Sequence, residues 1–243
     1  MSRSMSDRDK HWATTRWTLL QALDGQQTSM AQEALTHLCE TYWYPLYAFV
    51  RARGHNQDEA SDLVQGFLAD LIERGSLGSV HPERGRFRAF LLASVKHYLA
   101  NQRAKANAGK RGGGQVTLPL EFDLAEQRYQ HEPVDTVSPD TLYERAWASA
   151  VIETVLRRIQ VEWTARGKSS EFDRLRETLT GDSPSEGYAA IAVELGTTEP
   201  ALRVAAHRLK RRFLTELRAE VADLSSPADV DEELRYLVHS LGS

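Results

Sequence analysis

The sequence predicts an all-α protein of two helical domains, an N-terminal helical bundle and a C-terminal helix-turn-helix, joined by a linker. Three observations carry this. Apolar residues recur at helical spacing in segment after segment. No stretch of useful length alternates at the strand period, and no internal repeat is evident. Three prolines, Pro119, Pro133 and Pro139, fall in an acidic, weakly patterned stretch that separates the two patterned regions. The domains are placed at 14–111 and 141–222, with 112–140 as linker and 223–243 as a tail helix. A length of 243 residues leaves room for either one large domain or two smaller ones.

Taken in order, residues 1–13 read as a loose polar leader, and Thr14 to Leu23 as a short helix. Ser29 opens a longer helix to Gly54, with Ala34, Leu38, Tyr42, Leu46 and Phe49 on one side. Pro45 should bend or split it, because proline lacks the amide proton that the helix ladder uses. Cys39 lies inside this pattern, which favours packing over reactivity. A single cysteine also excludes an intrachain disulfide and a cysteine-based zinc site. In NQDEASDLVQGFLADLIERG, Asn56 caps a helix whose first turn holds Asp58 and Glu59, where the helix dipole favours negative charge. Its buried stripe is Leu63, Phe67, Leu68 and Leu71, and its outer face carries Asp58, Asp62, Gln65 and Asp70. After a loop over 75–85, Phe87, Phe90, Leu91, Val95 and Leu99 form the seam of a helix that runs to about Ala106. The linker is an extended connector with one short helix at Asp123 to Tyr129. Helices follow over 141–164, from Ser170 to Leu179, and from Asp229 to Leu241.

The stretch Gly187 to Leu217 is the most informative. Tyr188 to Leu195 reads as a small helix and Gly196 as the residue that ends it. Thr197 or Thr198 caps the next helix, and Pro200 suits its first turn. At about 100° per residue, Leu202, Ala205, Ala206, Leu209 and Phe213 fall on one side of that helix, and Arg203, Val204, His207, Arg208 and Arg211 on the other. An apolar back and a basic front, delivered by a short turn, describe a helix-turn-helix that enters a DNA groove. Small residues at Ala192 and Gly196 would let its two helices cross closely. The plain alternative is an αα-hairpin with a solvated basic face.

Charge is unevenly distributed. The chain as a whole is at −4, yet residues 84–111 carry +8 and 203–212 carry +5, which leaves −17 on the remainder. Two basic stripes on an acidic body form a nucleic-acid footprint at two places. No apolar run is long enough to span a bilayer, and the N-terminus lacks a signal-peptide core, so a cytoplasmic protein is expected. The eight histidines are scattered without an HExxH pair, and no phosphate loop or nucleophile elbow is present. Neither an enzyme nor a cofactor or metal site is expected.

The acidic-faced helix DEASDLVQGFLADL, the basic helix FRAFLLASVKHYLANQRAKA after it, and the later helix-turn-helix resemble a bacterial RNA polymerase sigma factor of the extracytoplasmic-function type. The resemblance covers about residues 15–111 and 141–222. It implies that Asp62, Leu63, Val64, Gln65 and Phe67 belong to the run whose exposed face docks on the polymerase β′ clamp helices. It implies that Arg86 and Arg88 help hold the melted strand, and that Lys96, His97, Asn101 and Arg103, with Lys105, serve the minus-ten element. In the helix-turn-helix, which the resemblance assigns to the minus-thirty-five element, Arg203, Val204 and His207 face base edges while Arg208, Lys210, Arg211 and Arg212 meet phosphates. Core RNA polymerase (through β′ and the β flap), promoter DNA and an anti-sigma regulator are the implied partners. The long linker, the long stretch 151–180 and the tail depart from the family pattern. A repressor or activator that never touches polymerase would explain the C-terminal half alone. The tail is acidic, with a net −4 over 223–236, and carries an apolar stripe of Leu234, Leu237, Val238 and Leu241. It is expected either to fold back on the C-terminal domain and compete with DNA, or to await a protein that removes it, or only to cover an apolar patch.

Overall fold

The computed structural model describes residues 29–73, 86–107, 122–132, 136–179, 187–223, 225 and 229–242, with side chains except at 29–38, 72–73, 105–107 and 122–123. The expected helix at Thr14 to Leu23 and the loop 75–85 lie outside the described residues. The fold is all-α. Helices α1 Ser29–Ala52, α2 Gln57–Glu73, α3 Phe87–Asn107, α4 Phe122–Tyr129, α5 Pro139–Ala165, α6 Ser169–Leu175, α7 Tyr188–Glu194, α8 Glu199–Asp223 and α9 Val230–Gly242 follow in order, and a 3-10 turn, Arg176–Leu179, extends α6. The described residues contain no strand. They divide into two compact units, Met1–Ala150 with Val221–Ser243, and Val151–Glu220. These bounds differ from those expected from sequence, because the first unit takes in the start of α5 up to Ala150 and α9 returns to that unit.

In the first unit α1 is the central element. Tyr42, Tyr44, Leu46, Tyr47, Ala48, Phe49 and Val50 are all buried, so the second half of this helix is covered all round. That enclosure explains why it runs on through Pro45, since tertiary packing outweighs the local cost of one missing hydrogen bond. Cys39 is buried too, and burial, with the charge of Glu40 beside it, pushes its thiol up to about 11. Asn56 Oδ1 accepts from the Glu59 amide at 2.9 Å, and Glu59 Oε2 from the Asn56 amide at 3.2 Å. This reciprocal pair is a capping box that starts α2. Ala60, Val64, Phe67, Leu68 and Leu71 form the buried stripe of α2, with Val64 in the core where Leu63 was expected. Helix α3 crosses α2 closely at Gly66, where an added Cβ would stand 2.5 Å from Tyr98 Oη.

The expected linker holds a packed helix. α4 lies against α1, with Ala125, Glu126 and Tyr129 buried. Glu126 accepts from Tyr47 Oη at 2.5 Å and from Arg51 Nε and Nη2 at 2.9 and 2.8 Å. These hydrogen bonds from Arg51, against the opposing effect of burial, hold the Glu126 carboxyl below the usual range.

In the second unit Val155, Ile159 and Trp163 of α5 share a core with Phe172 and Leu175 of α6, Tyr188, Ile191 and Ala192 of α7, and Leu202, Ala206, Leu209 and Leu217 of α8. α5 ends in a Schellman motif. The Lys168 amide donates to Trp163 O at 2.9 Å and the Gly167 amide to Thr164 O at 2.9 Å, with Gly167 at φ +70°. Inside the unit Arg158 Nη1 meets the fully buried carboxylate of Glu220 at 2.6 Å.

Candidate nucleic-acid interface

The second unit contains the two helices expected to form a helix-turn-helix, α7 and α8, joined by a tight turn. α7 closes with another Schellman motif, in which the Thr197 amide donates to Ala192 O at 2.9 Å and the Gly196 amide to Val193 O at 3.2 Å. Gly196 sits at φ +62°, and a Cβ there would meet nothing within 4 Å. Glycine is therefore needed for its backbone angle, as expected, and not for the close helix crossing that was also expected there. Thr198 is the cap of α8, since its Oγ1 accepts from the Ala201 amide at 3.4 Å and its carbonyl from the Leu202 amide at 3.0 Å.

The two sides of α8 fall as the helical angles predict. Leu202, Ala206 and Leu209 are buried, Ala205 and Phe213 half-buried. Arg203, Val204, His207, Arg208, Arg211 and Arg212 are exposed and Lys210 half-buried. Val204 exposes 51% of its surface, a large apolar group at the point where base contacts are expected. Two of the arginines are held in place. Arg203 pairs with Glu199 at 2.7 Å and lies over the Tyr188 ring at 4.7 Å, while Arg212 reaches Glu162 at 3.1 Å and Glu216 at 2.9 Å. An open groove of about 720 Å³ runs beside this front, floored by Trp163, Leu202 and Ala205 and edged by Arg208 and Arg212.

In the first unit, Asp62 of α2 is exposed, Leu63 and Gln65 are half-buried, and Val64 and Phe67 are 0% and 3% exposed. Val64 and Phe67 thus belong to the core, and of the run expected to dock on polymerase only Asp62, Leu63 and Gln65 reach the surface. The α3 residues also divide. His97, Asn101 and Arg103 are exposed, and the Lys105 side chain lies outside those described. Lys96 Nζ pairs with Asp140 at 2.6 Å. Arg86 Nε meets Glu233 at 2.6 Å, and its Nη2 bonds Glu232. Arg88 is buried at 4% exposure, between Glu144 at 2.6 Å and Glu233 at 2.9 Å, with the Tyr236 ring 3.7 Å from its guanidinium carbon. Burial opposes the Arg88 charge, but the Glu233 hydrogen bonds and the two carboxylates outweigh it and hold the guanidinium more firmly protonated. Burial raises the Glu144 carboxyl despite the Arg88 charge beside it. Arg88 thus lies buried among carboxylates, each of its three guanidinium nitrogens bonded to Glu144 or Glu233, and not on an open strand-binding surface. Phe87, Leu91, Val95 and Leu99 follow the α3 stripe as expected, with Leu92 added and Phe90 only half-buried.

The tail corrects a further expectation. α9 belongs to the first unit, and its carboxylates meet Arg86 and Arg88 there. Glu144, Tyr236 and Asp140 were not among the residues singled out from sequence, and Glu232 and Glu233 were counted only as charges of the acidic tail. A signal for one of them existed, because Glu233 lies on the buried stripe of α9 with Val230, Leu237 and Ser240. Among the described residues no group of His, Cys, Asp and Glu could hold a metal ion, and no helix is long and apolar enough to cross a membrane. Comparison with protein-family models, curated proteins and solved structures found no match.

Proposed function

We propose that the chain is a sigma factor of the extracytoplasmic-function type, which binds core RNA polymerase and directs promoter-specific initiation. The observation that carries this reading is the exposed front of α8, where Arg203, Val204, His207, Arg208 and Arg211 share one side of a helix that Leu202, Ala206 and Leu209 anchor. A helix of that kind, started by a capped tight turn, presents its N-terminal side chains to a major groove and its flanking cations to phosphates. The outward acidic group on α2, Asp62, supports a docking role, because an exposed carboxylate complements a basic partner surface. Such a factor needs no cofactor and no catalytic residue, since the polymerase supplies the chemistry. An anti-sigma regulator and a cytoplasmic location accompany this reading.

The test is a titration of purified core polymerase with the labelled chain. Asp62→Lys should lower the affinity and leave the helical content and melting unchanged. Equal affinity of the two proteins for core enzyme would count against the docking role. A second reading, a helix-turn-helix regulator independent of polymerase, is favoured by one observation. Arg86, Arg88 and Lys96 are already paired with carboxylates inside the first unit, which leaves α8 as the more open basic surface. Specific DNA binding without any affinity for core polymerase would establish that alternative.

A further inference from the structure

We infer that α9, with Asp140 at the start of α5, is a built-in acidic competitor that occupies the basic rim of α3, and that α9 must move for a nucleic-acid strand to bind there. The inference rests on the strand-binding reading of the Arg86 to Lys96 region. Three cations of that region, Arg86, Arg88 and Lys96, are matched by four carboxylates of the same unit, Glu144, Glu232, Glu233 and Asp140. These seven groups sum to one negative charge, so the pull that Arg86, Arg88 and Lys96 would exert on a phosphate backbone is cancelled while the pairs are made. Two of these carboxylates sit where a competing ligand can reach them. Glu232 is 60% exposed in its pair with Arg86, and Asp140 is 52% exposed in its pair with Lys96.

The α9 contact combines a firm centre with a weak edge. Glu233 and Arg88 are buried together under Tyr236, so the helix has a fixed seat. Arg86 and Glu232 lie toward solvent, where an ion pair contributes little and phosphate oxygens offer equivalent acceptors. Two residues of its apolar stripe, Val238 and Leu241, are exposed, so α9 does not bury its whole stripe in this position. An acidic helix seated by a few charges, and only partly buried, can be displaced by a polyanion without unfolding the helices beneath it.

The experiment measures anisotropy of a short fluorescein-labelled single-stranded oligonucleotide with the full-length chain at low salt. The variants are Glu232→Gln, Asp140→Asn, the two together, and Asp58→Asn as an equal charge change on α2. Glu232→Gln and Asp140→Asn should each tighten binding about two- to fivefold, and the double variant by about the product. The gain should shrink as salt rises, and Asp58→Asn should leave the affinity unchanged. Amide exchange along α9 should speed up when the wild-type chain is saturated with the oligonucleotide. Unchanged affinity in the first three variants, an equal gain from Asp58→Asn, or α9 amides that stay protected at saturation would each overturn the proposal. Absence of oligonucleotide binding by every form would overturn it as well. The core-polymerase titration reads the Asp62 surface on α2, so failure of the sigma reading shows there and failure of the gating shows here.

Discussion

Replacing Arg88 with leucine should be the most destabilising single change at the α3–α9 contact. The substitution removes a guanidinium that is 5% exposed and leaves Glu144 and Glu233 as neighbouring buried carboxylates, 15% and 1% exposed. Removing one partner of a buried ion pair costs about 3–5 kcal/mol. Arg86 still reaches Glu233 at 2.6 Å and offsets part of this, so the lower end, about 3 kcal/mol, is expected. For a unit of this size about 2–4 °C is lost per kcal/mol, which predicts a fall in melting temperature of about 6–12 °C. Arg86→Leu is the internal comparison: its guanidinium is 25% exposed, its Glu232 partner is open to solvent and Glu233 keeps Arg88, so it should cost less, about 1–2 kcal/mol. Arg88→Leu combined with Glu233→Leu should recover much of the loss, since an apolar pair can replace a buried ion pair without a net penalty. Urea unfolding followed by circular dichroism measures all three. A cost below about 1 kcal/mol for Arg88→Leu, or equal costs for the Arg86 and Arg88 variants, would refute the reasoning from burial.

Gly66→Ala should destabilise by about 0–2 kcal/mol, as crowding of the Tyr98 hydroxyl outweighs the better helix propensity of alanine. In a Tyr98→Phe background the same change should stabilise by up to about 1 kcal/mol, and a loss there would show that the close approach is not to the hydroxyl. Glu126, with its folded pKa depressed, binds protons less readily in the native state than in the unfolded one. Its contribution is therefore present above the ordinary glutamate pKa of about 4.3 and disappears as pH falls through the lower native value. Glu126→Gln should flatten the stability–pH curve in that acid range, and an unaltered slope would contradict the assignment. Arg203→Ala should cost about 1–3 kcal/mol in specific DNA binding and relax sequence preference. Arg212→Ala should weaken all sequences alike and flatten the salt dependence by less than one full charge, because Glu162 and Glu216 already share its cation. The same loss for every sequence in both variants would remove the division of roles.

Local chemistry was readable from the sequence where the deciding partner lies within one or two turns. The Asn56–Glu59 box, the Gly196 turn and the two sides of α8 all depend on near neighbours, and the structure places them as their spacing predicts. Pro45 does not split α1, because enclosure of the helix on every side, a long-range property, overrides a local penalty. The α4 segment looked like a connector because its binding to α1 depends on one carboxylate, Glu126, reaching Tyr47 and Arg51 far away in the chain. The α9 contact joins Glu233 to Arg88 across 145 positions, and no periodicity reports such a partner. A pattern was present all the same. Arg88 precedes Leu91, Leu92 and Val95 at helical spacing, and Glu233 precedes Leu237 and Ser240 likewise. Opposite charges each placed on the apolar stripe of its own helix mark a buried pair, and reading charge by face rather than by run would have found it.

Transcription in vitro with purified core RNA polymerase, from a pool of promoter fragments and with or without the chain, tests the central claim most directly. The account predicts transcripts that depend on the chain, start at discrete positions, and come from templates sharing two short elements at a fixed spacing. No chain-dependent transcript from any template, together with no measurable affinity for core enzyme, would contradict it.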